Sequence, residues 1–69
     1  MVSIEYMVIG NYNTYLDDIY YCNVSEIGAY KRYQELKVNN KKIVKAKVTK
    51  KLLKDVLFIW DYEILEIIK

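Results

Sequence analysis

The chain has no histidine and no proline, one cysteine, one arginine and two glycines among its 69 residues. Each shortage removes a class of function. Histidine is the usual group that moves protons near neutral pH, so its absence weighs against acid–base catalysis. Cys22 has no imidazole to make it a thiolate, and it reads as a small hydrophobe in a strand rather than as a nucleophile. A lone cysteine makes no internal disulfide, and without histidine the commonest metal ligand is missing too. No glycine-rich phosphate loop, nucleophile elbow or metal-ligand spacing occurs. A non-enzyme with no cofactor and no metal is the expectation. The longest uncharged apolar run, Val56–Trp60, has five residues, whereas a membrane-spanning helix needs about 20. Met1–Glu5 lacks the basic and apolar regions of a secretion signal. No membrane association is therefore expected, and the location is expected to be cytoplasmic (the host cytoplasm if the gene is a phage's).

What is present is apolar mass. Hydrophobic residues make up 54% of a chain that is short enough to form only one domain, residues 1–69. A core of that size leaves a few kcal/mol of margin unless a staple or an oligomer completes it. The densest stretch is Val56–Ile68, VLFIWDYEILEII, with the only Trp and the only Phe. Read as a strand, Val56, Phe58, Trp60, Tyr62, Ile64 and Ile68 line one face, broken by Glu66. Leu57, Ile59, Leu65 and Ile67 line the other, broken by Asp61 and Glu63. A helical alternative rests on Leu53, Leu57, Trp60, Ile64 and Ile67. Strand is favoured, because β-branched and aromatic residues dominate and the helix would be apolar all round. A strand apolar on both faces needs cover from outside its own domain. Phe58, Trp60, Tyr62 and Ile64 are the candidate oligomer interface, and a homodimer is the expected assembly.

The remaining elements follow in order. Ser3–Ile9 reads as a strand with Ile4, Tyr6 and Val8 on one face and Met7 and Ile9 on the other. Gly10–Thr14 supplies turn residues, and Tyr15–Val24 returns as a second strand. Asn23 and Ser25 are alternative caps for a helix over Glu26–Lys37, with an apolar arc of Ile27, Ala29, Tyr30, Tyr33 and Leu36. Val38–Asn40 ends it. Lys42–Thr49 alternates cleanly, with Val44, Ala46 and Val48 inward. Lys50–Asp55 reads as a charged connection into the Val56 strand, with one helical turn as its expected form. The fold class is α+β, an antiparallel sheet with one helix in the order β-β-α-β-β.

Charge is segregated along the chain. Residues 1–30 carry a net −4, residues 31–54 a net +9 and residues 55–69 a net −3. That pattern predicts a molecule with one acidic and one basic side. The basic stretch Lys41–Lys54 holds seven lysines. Lys45, Lys47, Lys50 and Lys51 are its candidate phosphate contacts, with Tyr30 and Tyr33 as stacking platforms. Against that reading stand the solvated outer face of an ordinary strand and the near-absence of arginine. Six of the eight tyrosines fall in the acidic first 30 residues. Tyrosine is enriched at interfaces, and acids with rings can stand in for phosphates and bases. Glu26, Tyr30, Tyr33, Tyr20, Asp17 and Asp18 are the candidate partner-binding residues. Asp61 and Glu63 share a strand face, which suits solvated charges better than a catalytic pair.

The hairpin–helix–basic strand order, with Tyr20-Tyr21, Ser25-Glu26-Ile27 and Ile43-Val44-Lys45-Ala46-Lys47-Val48-Thr49-Lys50, resembles the small dimeric uracil-DNA glycosylase inhibitors of Bacillus phages. The resemblance covers about residues 3–51. It implies a homodimer that places an aromatic side chain in the DNA-handling pocket of a host repair enzyme. Tyr30 or Tyr33 would be that aromatic and Glu26 the adjacent acid. The leading expectation is a protein-binding inhibitor acting by DNA mimicry. The alternative is a small nucleic-acid-binding module that uses the Lys41–Lys54 face.

Overall fold

The structure, a computed structural model, describes residues 1–69. Its elements are β1 (Val2–Gly10), β2 (Asp18–Asn23), α1 (Glu26–Glu35), β3 (Lys42–Leu53) and β4 (Val56–Ile67). The four strands form one antiparallel sheet in the order β2-β1-β3-β4, with α1 between β2 and β3 in the chain. The fold is α+β, in the element order read from the sequence. No helix is long and apolar enough to cross a membrane.

β1 and β3 are the central strands, paired from Val2↔Thr49 to Ile9↔Lys42. A central strand covered on both faces needs apolar residues in succession rather than in alternation. Met7-Val8-Ile9 and Ile43-Val44 supply them, and all five are essentially fully buried. Val8 and Ile43 point to the helix side and pack with Ala29, Leu36, Tyr6, Tyr20, Tyr21, Tyr30, Tyr33, Val38 and Ile68. Met7, Ile9, Val44, Ala46 and Val48 form the second layer, closed over by Tyr12, Ile19, Cys22, Tyr62 and Ile64. The helix thus covers one face. On the other face, side chains of the two edge strands and the 11–17 loop do the covering.

That loop is tied down by backbone bonds. Asn11 N donates to Asn39 O (3.0 Å) and Tyr12 N to Asn40 O (2.9 Å), while Asn40 Nδ2 donates to Tyr12 O (2.7 Å). Asn11, Asn13 and Asn40 adopt left-handed φ values of 51°, 63° and 49°, which asparagine tolerates better than most residues. β2 therefore starts at Asp18, three residues later than its predicted start at Tyr15.

Of the two caps read from the sequence, Ser25 holds the helix, its Oγ accepting from Gly28 N at 3.1 Å. Asn23 Oδ1 instead accepts from Ser25 N at 3.3 Å. The far end stops at Glu35, where Lys41 Nζ donates to Tyr33 O and Leu36 O, both at 2.7 Å. Gly28 weakens a helix on propensity alone by about 1 kcal/mol, yet a Cβ there would run into the Tyr21 hydroxyl. That hydroxyl donates to Ser25 O at 3.0 Å, so the glycine lets the first helical turn lie on the β2 ring. Ile27, expected in the apolar arc, is 83% exposed, because the helix meets the sheet through Ala29 and the residues after it.

Three further expectations are corrected. Lys50–Asp55 is no helical turn: β3 runs on to Leu53, and only Lys54 and Asp55 lie outside the strands. The faces of β4 also differ from strict alternation. Register shifts opposite Thr49/Lys50 and Lys45/Ala46 leave Trp60 and Leu65 as extra residues, and an extra residue moves everything beyond it to the other face. Leu57, Ile59, Tyr62, Ile64 and Ile67 consequently share one side. Val56, Phe58, Asp61, Glu63 and Glu66 share the other. Finally, the segregated charges do not make an acidic and a basic side. The register sets Lys45 across from Glu66 and Lys47 across from Glu63, so the basic stretch lies directly against the acidic one.

Candidate interaction surface

β1 pairs with β3 as far as the root of the β3–β4 hairpin. Lys50 N donates to Met1 O (2.8 Å), and the Met1 amine donates to Lys50 O (3.2 Å). From there outward β3 and β4 pair only with each other: Lys51↔Phe58, Leu52↔Leu57 and Leu53↔Val56. The result is a two-stranded arm. Its turn residues Lys54 and Asp55 have φ of 51° and 64°, the left-handed pair that a two-residue hairpin loop requires.

An ion pair between a buried carboxylate and a partly exposed lysine fixes the root of this arm. Glu5 lies in the second core layer at 3% exposure and accepts hydrogen bonds from the Ser3 hydroxyl, from Cys22 Sγ (3.3 Å) and from Lys50 Nζ (3.2 Å). Lys50 Nζ also lies 2.9 Å from the other carboxylate oxygen. Burial pushes the Glu5 carboxyl upward, but the Ser3, Lys50 and Cys22 hydrogen bonds outweigh it and leave the carboxyl below its ordinary value. The bond to Glu5 raises the Lys50 ammonium above its usual range, against the opposing effect of burial. Cys22 is driven to about 11 by burial and then by the adjacent carboxylate. A thiol held protonated in this way is a hydrogen-bond donor and not a nucleophile.

Beyond the root the arm is apolar on both sides. Leu52, Leu57 and Ile59 lie on one face; Leu53, Val56 and Phe58 lie on the other, with Trp60 beside them. All seven are between 37% and 67% exposed. Lys51 Nζ sits 4.0 Å from the Trp60 ring centroid, an exposed cation–π contact worth about 0.5–1 kcal/mol. Lys51, Leu52, Leu53, Phe58 and Trp60 line a shallow cleft of about 150 Å³. The outer edge of β4 carries no fifth strand along its whole length.

The expected oligomer quartet is divided by this geometry. Phe58 and Trp60 stand on the exposed arm, whereas Tyr62 and Ile64 pack into the chain's own second core layer. Burial raises the Tyr62 hydroxyl above its ordinary value, with Asp17, Tyr12 and Asp61 adding to the shift. The expected partner-binding residues do not converge on one surface either. Tyr20, Tyr30 and Tyr33 are half-buried in the helix-side layer. Lys41 and Lys69 lie 4.6 and 5.3 Å from the Tyr33 ring, and Lys69 lies 5.9 Å from Tyr30. Glu26 is exposed in the first helical turn, and Asp18 is exposed at the start of β2. Asp17, near Tyr62, belongs to the opposite side of the sheet from α1. Each lysine of the expected nucleic-acid face has a neighbour within the chain: Lys45 and Lys47 face Glu66 and Glu63, Lys50 holds Glu5, and Lys51 covers Trp60.

Leu52 and Leu53 belong to the exposed surface but were absent from the expected interface. Their only sequence signal was an apolar pair between lysines, without the Gly or Asn that announces a tight hairpin. Comparison of the chain with protein families, curated proteins and solved structures finds no match. The reading of function rests on the geometry.

Proposed function

We propose that this protein is a non-enzymatic module that acts by binding another polypeptide through its β3–β4 arm. The arm's exposure carries this reading. Seven large apolar side chains stand on a ribbon with no third strand, and soluble monomers rarely show contiguous apolar patches beyond a few hundred Å². An open β4 edge adds backbone donors and acceptors, which suit strand addition by an incoming chain. The test is a crosslinking scan with a photoreactive residue at position 57 and, as control, at the exposed position 31. Polypeptide adducts at 57 and none at 31 are expected. Equal labelling at both would defeat the reading.

The specific form of the proposal is an inhibitor that occupies the nucleic-acid site of a DNA-handling enzyme, with uracil-DNA glycosylase as the first candidate. The resemblance over residues 3–51 supports it, with the Glu26 carboxylate exposed in the first turn of α1. A uracil-excision assay with equimolar protein is expected to show loss of product. Undiminished excision at a large molar excess would remove that enzyme as the target.

A further inference from the structure

We propose that the polypeptide covering the arm is a second copy of this chain, the two β4 strands pairing antiparallel along their open edges through Val56–Trp60. This rests on the arm being a polypeptide-binding surface, as set out above, and goes on to name its occupant.

The first argument concerns what can cover the arm at all. A lone two-stranded hairpin is marginal in water, and this one is apolar on both sides. A lipid surface would hide the side chains, but it would strand the unpaired N–H and C=O groups of both edges, each at several kcal/mol. An incoming strand pairs the edge and sets its own side chains beside those of the arm on both faces.

The second argument concerns which strand. The arm is continuous with β3 and β4 of the body, so its cover is needed whenever the chain folds. Only another copy is present at that moment in guaranteed proportion.

The third argument is charge, which also chooses the register. Pairing centred on Tyr62 would set Asp61 of one copy against Glu63 of the other, and like charges directly opposite are destabilising. Pairing centred on Phe58, with Trp60 the extra residue as it is against β3, sets Leu57 opposite Ile59 of the other copy and places Lys54 of each copy beside Glu63 of the other. A two-fold axis makes every such contact twice. The carboxylates Asp61, Glu63 and Glu66 keep the body portion of β4 out of like-with-like pairing, and the uncharged run Val56–Trp60 is left to associate.

Equilibrium sedimentation and acrylamide quenching of Trp60, read across a micromolar dilution series, test this. The expected result is a dimer whose Trp60 becomes quenchable as it dissociates. Lys54→Glu and Glu63→Lys are each expected to raise the dimer Kd about tenfold, and the double variant to restore it to within about threefold. Both positions are at the surface, so the fold survives the exchange. A folded monomer with Trp60 freely quenched would overturn the second copy and leave the arm for a foreign chain. A folded monomer with Trp60 shielded would overturn both readings. A dimer indifferent to both charge reversals, with Trp60 still quenchable, would place the interface elsewhere and overturn the proposal.

Discussion

β3 and β4 form one hairpin in two environments. From Lys42 to Lys50, β3 has β1 on one side and β4 on the other, and its inward residues Val44, Ala46 and Val48 are fully buried. From Lys51 to Leu53 it has only β4, and Leu52 and Leu53 are more than half exposed. Residue type does not separate the two halves: valine and isoleucine are buried at Val44, Val48 and Ile43 and exposed at Val56 and Ile59. The difference is the number of neighbouring strands. An apolar side chain is a core residue only where a third layer or strand exists to meet it, and the arm has outgrown its own domain's supply.

The junction between the halves should be the most sensitive point. Replacing Lys50 by Met leaves the Glu5 carboxylate buried without its cation. Lys50 is a quarter exposed, so the cost falls toward the low end of the roughly 3–5 kcal/mol for breaking a fully buried pair. In a domain of this size that approaches the total stability, so urea denaturation should show Lys50→Met largely unfolded. The Glu5 carboxyl is held below its ordinary value, and its contribution is therefore present at neutral pH. It is lost as pH falls through the depressed native value. Glu5→Gln should flatten that acid limb of a stability–pH profile, and an unchanged limb would remove Glu5 from the account.

The comparison itself can be broken by a pair of truncations. Ile43→Ala removes a side chain with no exposure and should cost about 2–5 kcal/mol in chemical denaturation. Leu57→Ala, on the arm, should cost the isolated subunit within about 0.5 kcal/mol while weakening association. Equal losses in dilute solution would mean that the arm is already packed within one subunit.

How much of this was readable beforehand follows the same division. The element order, the Ser25 cap and the alternation of Lys42–Thr49 were legible because each rests on local chemistry. The length of β3 was not. Its turn is Lys54–Asp55, two residues with no glycine or asparagine to mark left-handed backbone, so the lysine-rich approach read as a connection. The faces of β4 were hidden by the extra residues at Trp60 and Leu65, which depend on pairing with β3 rather than on β4's own pattern. Charge segregation was real in the sequence but misleading in space, since antiparallel pairing sets Lys45 and Lys47 opposite Glu66 and Glu63. Of the interface read from alternation, Phe58 and Trp60 lie on the arm, whereas Tyr62 and Ile64 were claimed by the core.

The smallest expected effect sharpens the contrast from the arm's end. Lys54 and Asp55 hold left-handed backbone at a cost of about 1 kcal/mol or more each. Substituting Gly at Asp55 alone, which leaves Lys54 in place, should raise thermal stability by about 1 kcal/mol without altering association. A loss of stability would show that the turn differs from the geometry described here.

Hydrogen exchange of the backbone amides, resolved by residue and repeated on dilution, tests the central claim most directly. The account predicts that amides of 51–60 lose protection as concentration falls, while those of Met7–Ile9 and Ile43–Val48 keep theirs. Amides on the arm that stay as protected as the body at every concentration would contradict it, because a single subunit would then be holding the arm shut unaided.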